Sequence, residues 1–136
     1  MDTGGWDTMS GESRRARFAV GRSAFSDLVV LELSGDLDHD TADELGSALD
    51  AAAADSGRVL VDCAKLDFCD SSGLNTLLRA RRSARESGTE LALVGEPGAL
   101  GRLLEITGMG PMFPIYPSLG EALDGDHAPG HPAEDS

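Results

Sequence analysis

The sequence predicts an α/β fold, with a small mixed β-sheet of about four to five strands flanked by about four helices. Short apolar segments typical of strands alternate along the chain with segments whose apolar residues recur at helical spacing. Two Ser/Thr-x-x-Glu capping boxes, beginning at Thr41 and Ser118, mark helix starts. The chain has 136 residues, of which 40% are hydrophobic, and this suits one domain with a single core.

The first half of the domain is predicted to contain two strands and a helix. Residues 17–24 and 28–33 have the composition of strands, and Gly35 is expected to end the second. The capping box predicts that a helix starts at Thr41. The residues on the inner face of this helix, spaced i, i+4 and i+7, are Leu45, Leu49 and Ala52.

The second half repeats the alternation. Residues 59–63 form an apolar segment fit for burial on both faces of a sheet. A long helix is predicted over residues 71–87, with Gly88 as its stop. A strand is expected at residues 91–94. The apolar residues of the two helices in this half are Leu74, Leu77 and Leu78, then Leu100, Leu103 and Leu104.

The last part of the domain is predicted from turn signals. Gly108 is expected to end the third helix, residues 113–116 to form a short strand, and the capping box at Ser118 to open a final short helix. Residues 14–123 thus form the predicted domain. Residues 1–13 and the acidic residues 124–136 lack the apolar side chains needed to offset the entropy of ordering, which predicts two disordered tails.

The net charge excludes several classes of partner. The chain has 24 acids and 11 bases, a formal net charge of −13. Such a surface does not neutralise phosphates, so direct nucleic-acid binding and attachment to an anionic membrane are not expected. No signal peptide and no membrane span are recognised, which predicts a cytoplasmic protein. Cys63 and Cys69 lack the spacing of a disulfide framework or a zinc site and are expected to be buried, reduced thiols.

The charge is unevenly distributed along the chain. Residues 27–70 hold twelve acids and two bases, whereas residues 71–105 hold four acids and five bases. Four arginines of the second part, all on the predicted long helix, are Arg79, Arg81, Arg82 and Arg85. They form either a docking surface or, as is favoured, a solvated face near the C-terminal end of the helix, where cations suit the helix dipole. Periodicity places Arg81 near the apolar residues, so its stem is expected to cover the core.

Two segments carry polar residues next to predicted strand ends. The first is Gly35-Asp36-Leu37-Asp38, and the second is Asp70-Ser71-Ser72-Gly73, which opens the long helix. Asp and Ser are good N-cap residues, so this second segment has a purely structural interpretation. A serine at a helix start is also accessible to a partner, and the helix dipole accepts a phosphate placed there.

These segments resemble those of STAS domains, specifically the bacterial anti-sigma factor antagonists. The resemblance rests on both segments together with Thr107-Gly108-Met109 and Phe113-Pro114-Ile115-Tyr116, and it covers about residues 17–123. Asn75 stands where many members have glycine, and Cys69 replaces a more common branched apolar residue.

The resemblance implies a switch. Ser71 is then the phosphorylation site, with Ser72 as the alternative, and the partners are an anti-sigma factor that is also a serine kinase and a serine phosphatase. The unphosphorylated protein binds the kinase and frees a sigma factor. No cofactor or metal is expected in this chain itself. The expected partner-binding residues are Asp36, Asp38, Asp70, Ser72, Gly73 and Asn75.

Three alternatives compete with this interpretation. An enzyme with Ser71 as nucleophile lacks an evident base, because His39 is expected in a surface loop and the Gly-x-Ser-x-Gly motif is absent; no catalytic residue is therefore predicted. A metal site is imaginable at Asp126, His127 and His131, but a solvated tail is favoured. Finally, some STAS domains are adaptors without a switch in transport or stress-signalling assemblies.

Overall fold

The predicted α/β architecture is confirmed by the computed structural model, which describes residues 18–95 and 98–124. Within these residues, one mixed sheet has five strands in the order β1-β2-β3-β4-β5. In chain order the elements are β1 (Phe18–Phe25), β2 (Leu28–Leu37), α1 (Ala42–Asp55), β3 (Arg58–Cys69), α2 (Ser71–Glu86), β4 (Glu90–Val94), α3 (Ala99–Thr107), a 3₁₀ turn (Gly110–Met112), β5 (Ile115–Tyr116) and α4 (Leu119–Asp124).

The strand pairing places four carboxyl ends at one edge of the sheet. β1 and β2 form an antiparallel hairpin in which Phe25 pairs with Leu28, and Ser26 in its turn has φ of 49°. The pairs β2–β3, β3–β4 and β4–β5 are all parallel. Because parallel strands point the same way, β2, β3, β4 and β5 end at a common edge, from which the chain enters the helices.

The two faces of the sheet are covered unequally. Helices α1, α2 and α3 pack on one face, where the main core includes Leu33, Leu45 and Leu77, each fully buried. The predicted inner face of α1 is confirmed, since Leu45, Leu49 and Ala52 are all buried. The short α4 covers part of the opposite face through Ala122, beside Leu60 and Tyr116.

The two central strands are longer than predicted. Gly35 does not end β2, which continues to Leu37, and β3 continues to Cys69. The pairing of β2 with β3 shifts register between Glu32 and Ser34 and again between Gly35 and Asp36. A bulge needs unusual backbone angles, and Gly35 supplies them with φ of 87°. The predicted strand at residues 113–116 is shorter, because the 3₁₀ turn precedes it and only Ile115 and Tyr116 pair.

The two capping boxes have different outcomes. The Thr41 box is wrong in detail: α1 does follow Thr41, but the Thr41 side chain makes no cap hydrogen bond to the helix. Its hydroxyl instead donates to the Asp36 carbonyl at 3.1 Å and accepts from the Asp38 amide at 2.9 Å. At the second box, the Glu121 amide donates to the Ser118 hydroxyl at 3.2 Å, as predicted.

The termini are largely outside the described part of the chain. The predicted tail at residues 1–13 and the candidate metal residues Asp126, His127 and His131 lie outside the described residues. Asp124, placed at the start of the C-terminal tail, belongs to α4. Among the described helices, none has the length and apolar character needed to cross a membrane.

Candidate functional site

The site is built where β2 and β3 leave the sheet together. Leu37 pairs with Cys69 in the last register position, and the Asp70 amide donates to the Leu37 carbonyl at 3.1 Å. α2 begins at the next residue, Ser71. The polar segments at Asp36 and at Asp70, far apart in sequence, are therefore neighbours in space.

Asp70 caps α2. Its carboxylate accepts hydrogen bonds from the Ser72 amide at 2.9 Å and from the Gly73 amide at 3.2 Å. These are two of the donors that a helix start leaves without an intrahelical partner, and a negative charge there also suits the helix dipole. The cap is therefore supplied by Asp70 and not by either serine.

The two serines differ in accessibility. Ser71, the first residue of α2, is exposed, whereas Ser72 is half-buried. The Ser71 hydroxyl makes no hydrogen bond with any residue that the structure describes. The first turn of a helix carries a partial positive charge, which offsets part of the negative charge that a phosphate on Ser71 would add beside Asp70.

Gly73 allows α2 to approach the sheet closely. The residue is buried, and a Cβ added to it would lie 2.5 Å from Cγ of Leu37 and 3.2 Å from Sγ of Cys69. Real Cβ atoms are not found so close to a neighbouring side chain, so a larger residue would push α2 away from β2. The predicted partner-binding residue Gly73 thus has a packing role in the fold.

The remaining predicted residues surround Ser71 on the surface. Asn75 is exposed and lies one helical turn after Ser71, on the same face of α2. Asp36 and Asp38 are half-buried at the end of β2. The Asp38 carboxylate accepts from the Asp40 amide at 3.0 Å and the Thr41 amide at 3.2 Å, which fixes the loop leading into α1.

Sequence reasoning missed one residue beside this surface. Phe68 is 47% exposed and is the register partner of Asp36. Strict alternation would place Phe68 on the same face as the buried Leu66, but Asp67 and Phe68 are both exposed. The break in alternation results from the irregular pairing of β2 with β3, which a single strand sequence does not reveal.

The cysteines are buried and reduced, as expected. Both are free thiols, and burial is the main reason that their pKa values are raised above the ordinary value of 9.0. For Cys69 the pKa is raised to about 12. Neither thiol ionises near neutral pH, so neither is a nucleophile there.

The chemistry of the site suits recognition better than catalysis. A serine nucleophile needs a hydrogen-bonded base, and no such base contacts Ser71 within residues 18–95 and 98–124. In the same part of the chain, no cluster of three or more His, Cys, Asp or Glu side chains is arranged to hold a metal.

The arginines of α2 lie at its far end. Arg82 and Arg85 are exposed, which fits a solvated face, and Arg81 is half-buried, with its pKa lowered by burial and by the charge of Arg85. With Met109 and Met112 they line a groove of about 560 Å³. α2 rises about 1.5 Å per residue, so the arginines of this groove lie roughly 15 Å or more along the helix from Ser71.

The fold and the site together define a small α/β domain that presents an exposed serine at a helix start. Comparison with known proteins shows which one: the chain belongs to the STAS domain family, whose model, described as "Mlab, STAS domain", matches residues 21–114.

Three relatives illustrate the similarity. The chain is 33% identical to the anti-sigma-B factor antagonist of Listeria monocytogenes over 104 residues, which is 76% of this chain and 90% of that protein. It is 28% identical to an anti-sigma factor antagonist from Mycobacterium paratuberculosis of known crystal structure, with a TM-score of 0.66 over 79% of this chain and 92% of the other. It shares the fold of the phosphorylated form of the Bacillus cell fate determinant SpoIIAA, with 22% identity and a TM-score of 0.62 over 78% and 97% of the two chains.

Proposed function

We propose that the protein is an anti-sigma factor antagonist controlled by phosphorylation of Ser71. In this proposal the unphosphorylated form binds an anti-sigma factor, which is also a serine kinase, and so releases a sigma factor. Phosphorylation ends the binding, and a serine phosphatase restores it. All partners are then cytoplasmic proteins, and the role requires no enzymatic activity from this chain.

The observation that carries the proposal is the position of Ser71. Its hydroxyl is exposed and has no hydrogen-bond partner in the described structure, while Asp70 caps the helix in its place. A kinase therefore reaches the hydroxyl without breaking a contact of the fold. The similarity to named anti-sigma factor antagonists supports the same role.

Charge explains how a phosphate acts as a switch. A phosphate adds about −1.5 to −2 charges. The helix start tolerates this charge, but Asp36, Asp38 and Asp70 are close by, on a chain whose net charge is already −13. The phosphorylated protein is expected to remain folded. Its surface becomes more negative, so a partner that docks over Ser71 is repelled.

The docking surface is expected to surround Ser71. We assign to it the exposed Asn75, the half-buried Ser72, Asp36 and Asp38, and the backbone at Asp70 and Gly73. Their side chains and backbone groups come from the end of β2 and the first turn of α2. A single phosphate at Ser71 is therefore close to every part of the surface.

The test uses purified full-length chain with each serine kinase of the anti-sigma factor type encoded in the same genome. With ATP, the cognate kinase should add one phosphate, located at Ser71 by peptide mass spectrometry. Ser71→Ala should bind that kinase persistently and Ser71→Asp should bind poorly. Ser72→Ala, the matched control, should still be phosphorylated.

Two outcomes would count against this proposal. Phosphate found only on Ser72 would refute the assignment of the site to Ser71 and move it to the alternative serine. Equal affinity of Ser71→Ala and Ser71→Asp for the kinase would favour the STAS adaptor without a switch.

A further inference from the structure

A hollow of about 360 Å³ lies between α3 and the sheet, away from Ser71. Its walls come from the end of β4, from α3, from the 3₁₀ turn and from β5. Cys63, on β3, also lines it. The larger residues among those that line it are mainly aliphatic: Leu93, Val94, Leu100, Leu104 and Ile115.

Glycines form a large part of the lining. Five of the lining residues are Gly95, Gly98, Gly101, Gly108 and Gly110. A Cβ added to Gly110 would have no heavy atom within 4 Å. Gly95 and Gly108 have φ of 120° and 74°, which favour glycine. No side chain therefore projects from these five positions into the hollow.

The size of the hollow suits a small organic molecule. An engineered apolar cavity of about 150 Å³ in another protein already binds benzene, and ligand pockets generally begin near about 300 Å³. A hollow of about 360 Å³ with aliphatic walls is therefore large enough for a molecule of one or two rings or a medium alkyl chain.

The charge around the hollow limits the ligand class. Among the described residues that line it, the charged one is Glu105, which is exposed and so lies at the rim. A carboxylate there, on a chain of net charge −13, repels fatty-acid anions and phosphate esters. It accepts a hydrogen bond from a hydroxyl group.

We propose that the hollow between α3 and the sheet is a binding site for a small, uncharged, largely apolar molecule, such as an alkyl or aryl alcohol. None of its lining residues belongs to the surface around Ser71. The proposal is thus independent of phosphorylation and of the anti-sigma factor, and it stands or falls separately from the proposed function.

The two cysteines provide a matched test of the empty volume. Both are buried on β3, but Cys63 faces the hollow, whereas Cys69 lies against the close contact of Gly73 with Leu37. Cys63→Leu should keep or raise the midpoint of thermal unfolding, because the larger side chain enters free space. Cys69→Leu should lower the midpoint by several degrees. If both variants lower it equally, the hollow has no spare volume and the proposal is wrong.

Ligand binding is tested with two probes of the same chain length. Added to the full-length protein, 1-octanol should raise the unfolding midpoint and shift the NMR methyl signals of Leu100, Leu104 and Ile115. Octanoate should bind at least about tenfold more weakly, because it is an anion. Both effects of 1-octanol should disappear in Cys63→Leu and also in Leu104→Phe, a second variant that fills the hollow. No shift with 1-octanol in the wild type, or equal binding of octanoate, would overturn the proposal.

Discussion

The carboxyl ends of β2 and β3 and the carboxyl end of β4 lie at the same edge of the sheet, yet they are packed in opposite ways. At β2 and β3, Gly73 brings α2 so close that an added Cβ would collide with Leu37. At β4, glycines border a hollow of about 360 Å³ under α3. In the first region glycine allows contact, and in the second it leaves space.

This difference bears on what each region can do. The packed end holds the start of α2 rigidly, so that Ser71 is displayed on a surface whose shape does not depend on its side chain. The hollow end has free volume in which a ligand gains contacts with aliphatic walls. The packed end is therefore suited to display a serine that gains a phosphate charge, and the hollow end is suited to bind or release a ligand.

The largest expected effect comes from filling the packed end. Gly73→Ala should lower the free energy of unfolding by about 2–3 kcal/mol, because the new Cβ forces Leu37 or α2 to move. Its matched control is Gly46→Ala in α1, where an added Cβ would meet Cγ2 of Thr76 at an ordinary 3.6 Å. Gly46→Ala should be neutral or stabilise by up to about 1 kcal/mol. Denaturant titration measures the free energy of unfolding of both variants. Similar values for the two would contradict the close contact of Gly73 with Leu37.

Alkaline pH should destabilise the protein through its two thiols. Their pKa values are raised in the folded state, so the folded protein prefers the neutral thiols. The stabilisation is complete below pH 9, the pKa in the unfolded chain, and is lost as the pH rises above it. By pH 10 we expect a loss of about 1 kcal/mol per thiol.

The variants Cys63→Ala and Cys69→Ala separate the contributions of the two thiols to this loss of stability. Each should reduce the alkaline loss by about half when denaturant titrations at pH 8 and pH 10 are compared. An unchanged pH dependence in the double variant would show that other groups cause it.

An exposed aromatic residue beside Ser71 should contribute to partner binding. Phe68→Ala is expected to weaken binding of the cognate anti-sigma factor by about tenfold, since exposed aromatic side chains frequently dominate interfaces. Phe25, also 47% exposed but on the hairpin of β1, is the matched control. Phe25→Ala should leave the affinity unchanged in calorimetric titrations; equal losses would indicate a general effect of truncation.

The smallest expected effects distinguish Asp70, which caps α2, from Ser71, the proposed phosphate acceptor. Asp70→Ala should cost about 1 kcal/mol of unfolding free energy, because two amides lose their acceptor. Ser71→Ala should change it by less than about 0.5 kcal/mol. Equal losses in chemical denaturation would assign the cap to both residues.

The sequence was most informative where structure is determined locally. The start of α2 at Ser71 and the end of α3 at Gly108 depend on residues within one turn, and both were predicted correctly. The extension of β2 to Leu37 depends on pairing with a strand about thirty residues away, which no local pattern shows.

The details of the site were predictable only in part. The residue types pointed to Asp70 and Ser71, but not to which of them caps the helix. The Thr41 hydroxyl donates to the carbonyl of Asp36 and accepts from the amide of Asp38. These two hydrogen bonds replace the helix-capping bond that the capping box predicts. The contact of Gly73 with Leu37 and the hollow under α3 join distant elements, so they required the structure.

The cap at Asp70 has a consequence for how this protein can evolve. Because Ser71 contributes no contact that the fold requires, position 71 is free to change without loss of stability. Under the proposed function, a lineage that loses its kinase can replace Ser71 by alanine and keep the protein permanently in the binding form, while Asp70 and Gly73 remain fixed by the needs of the fold. Within a set of descendants, drift confined to this one position would mark the point at which regulation was lost.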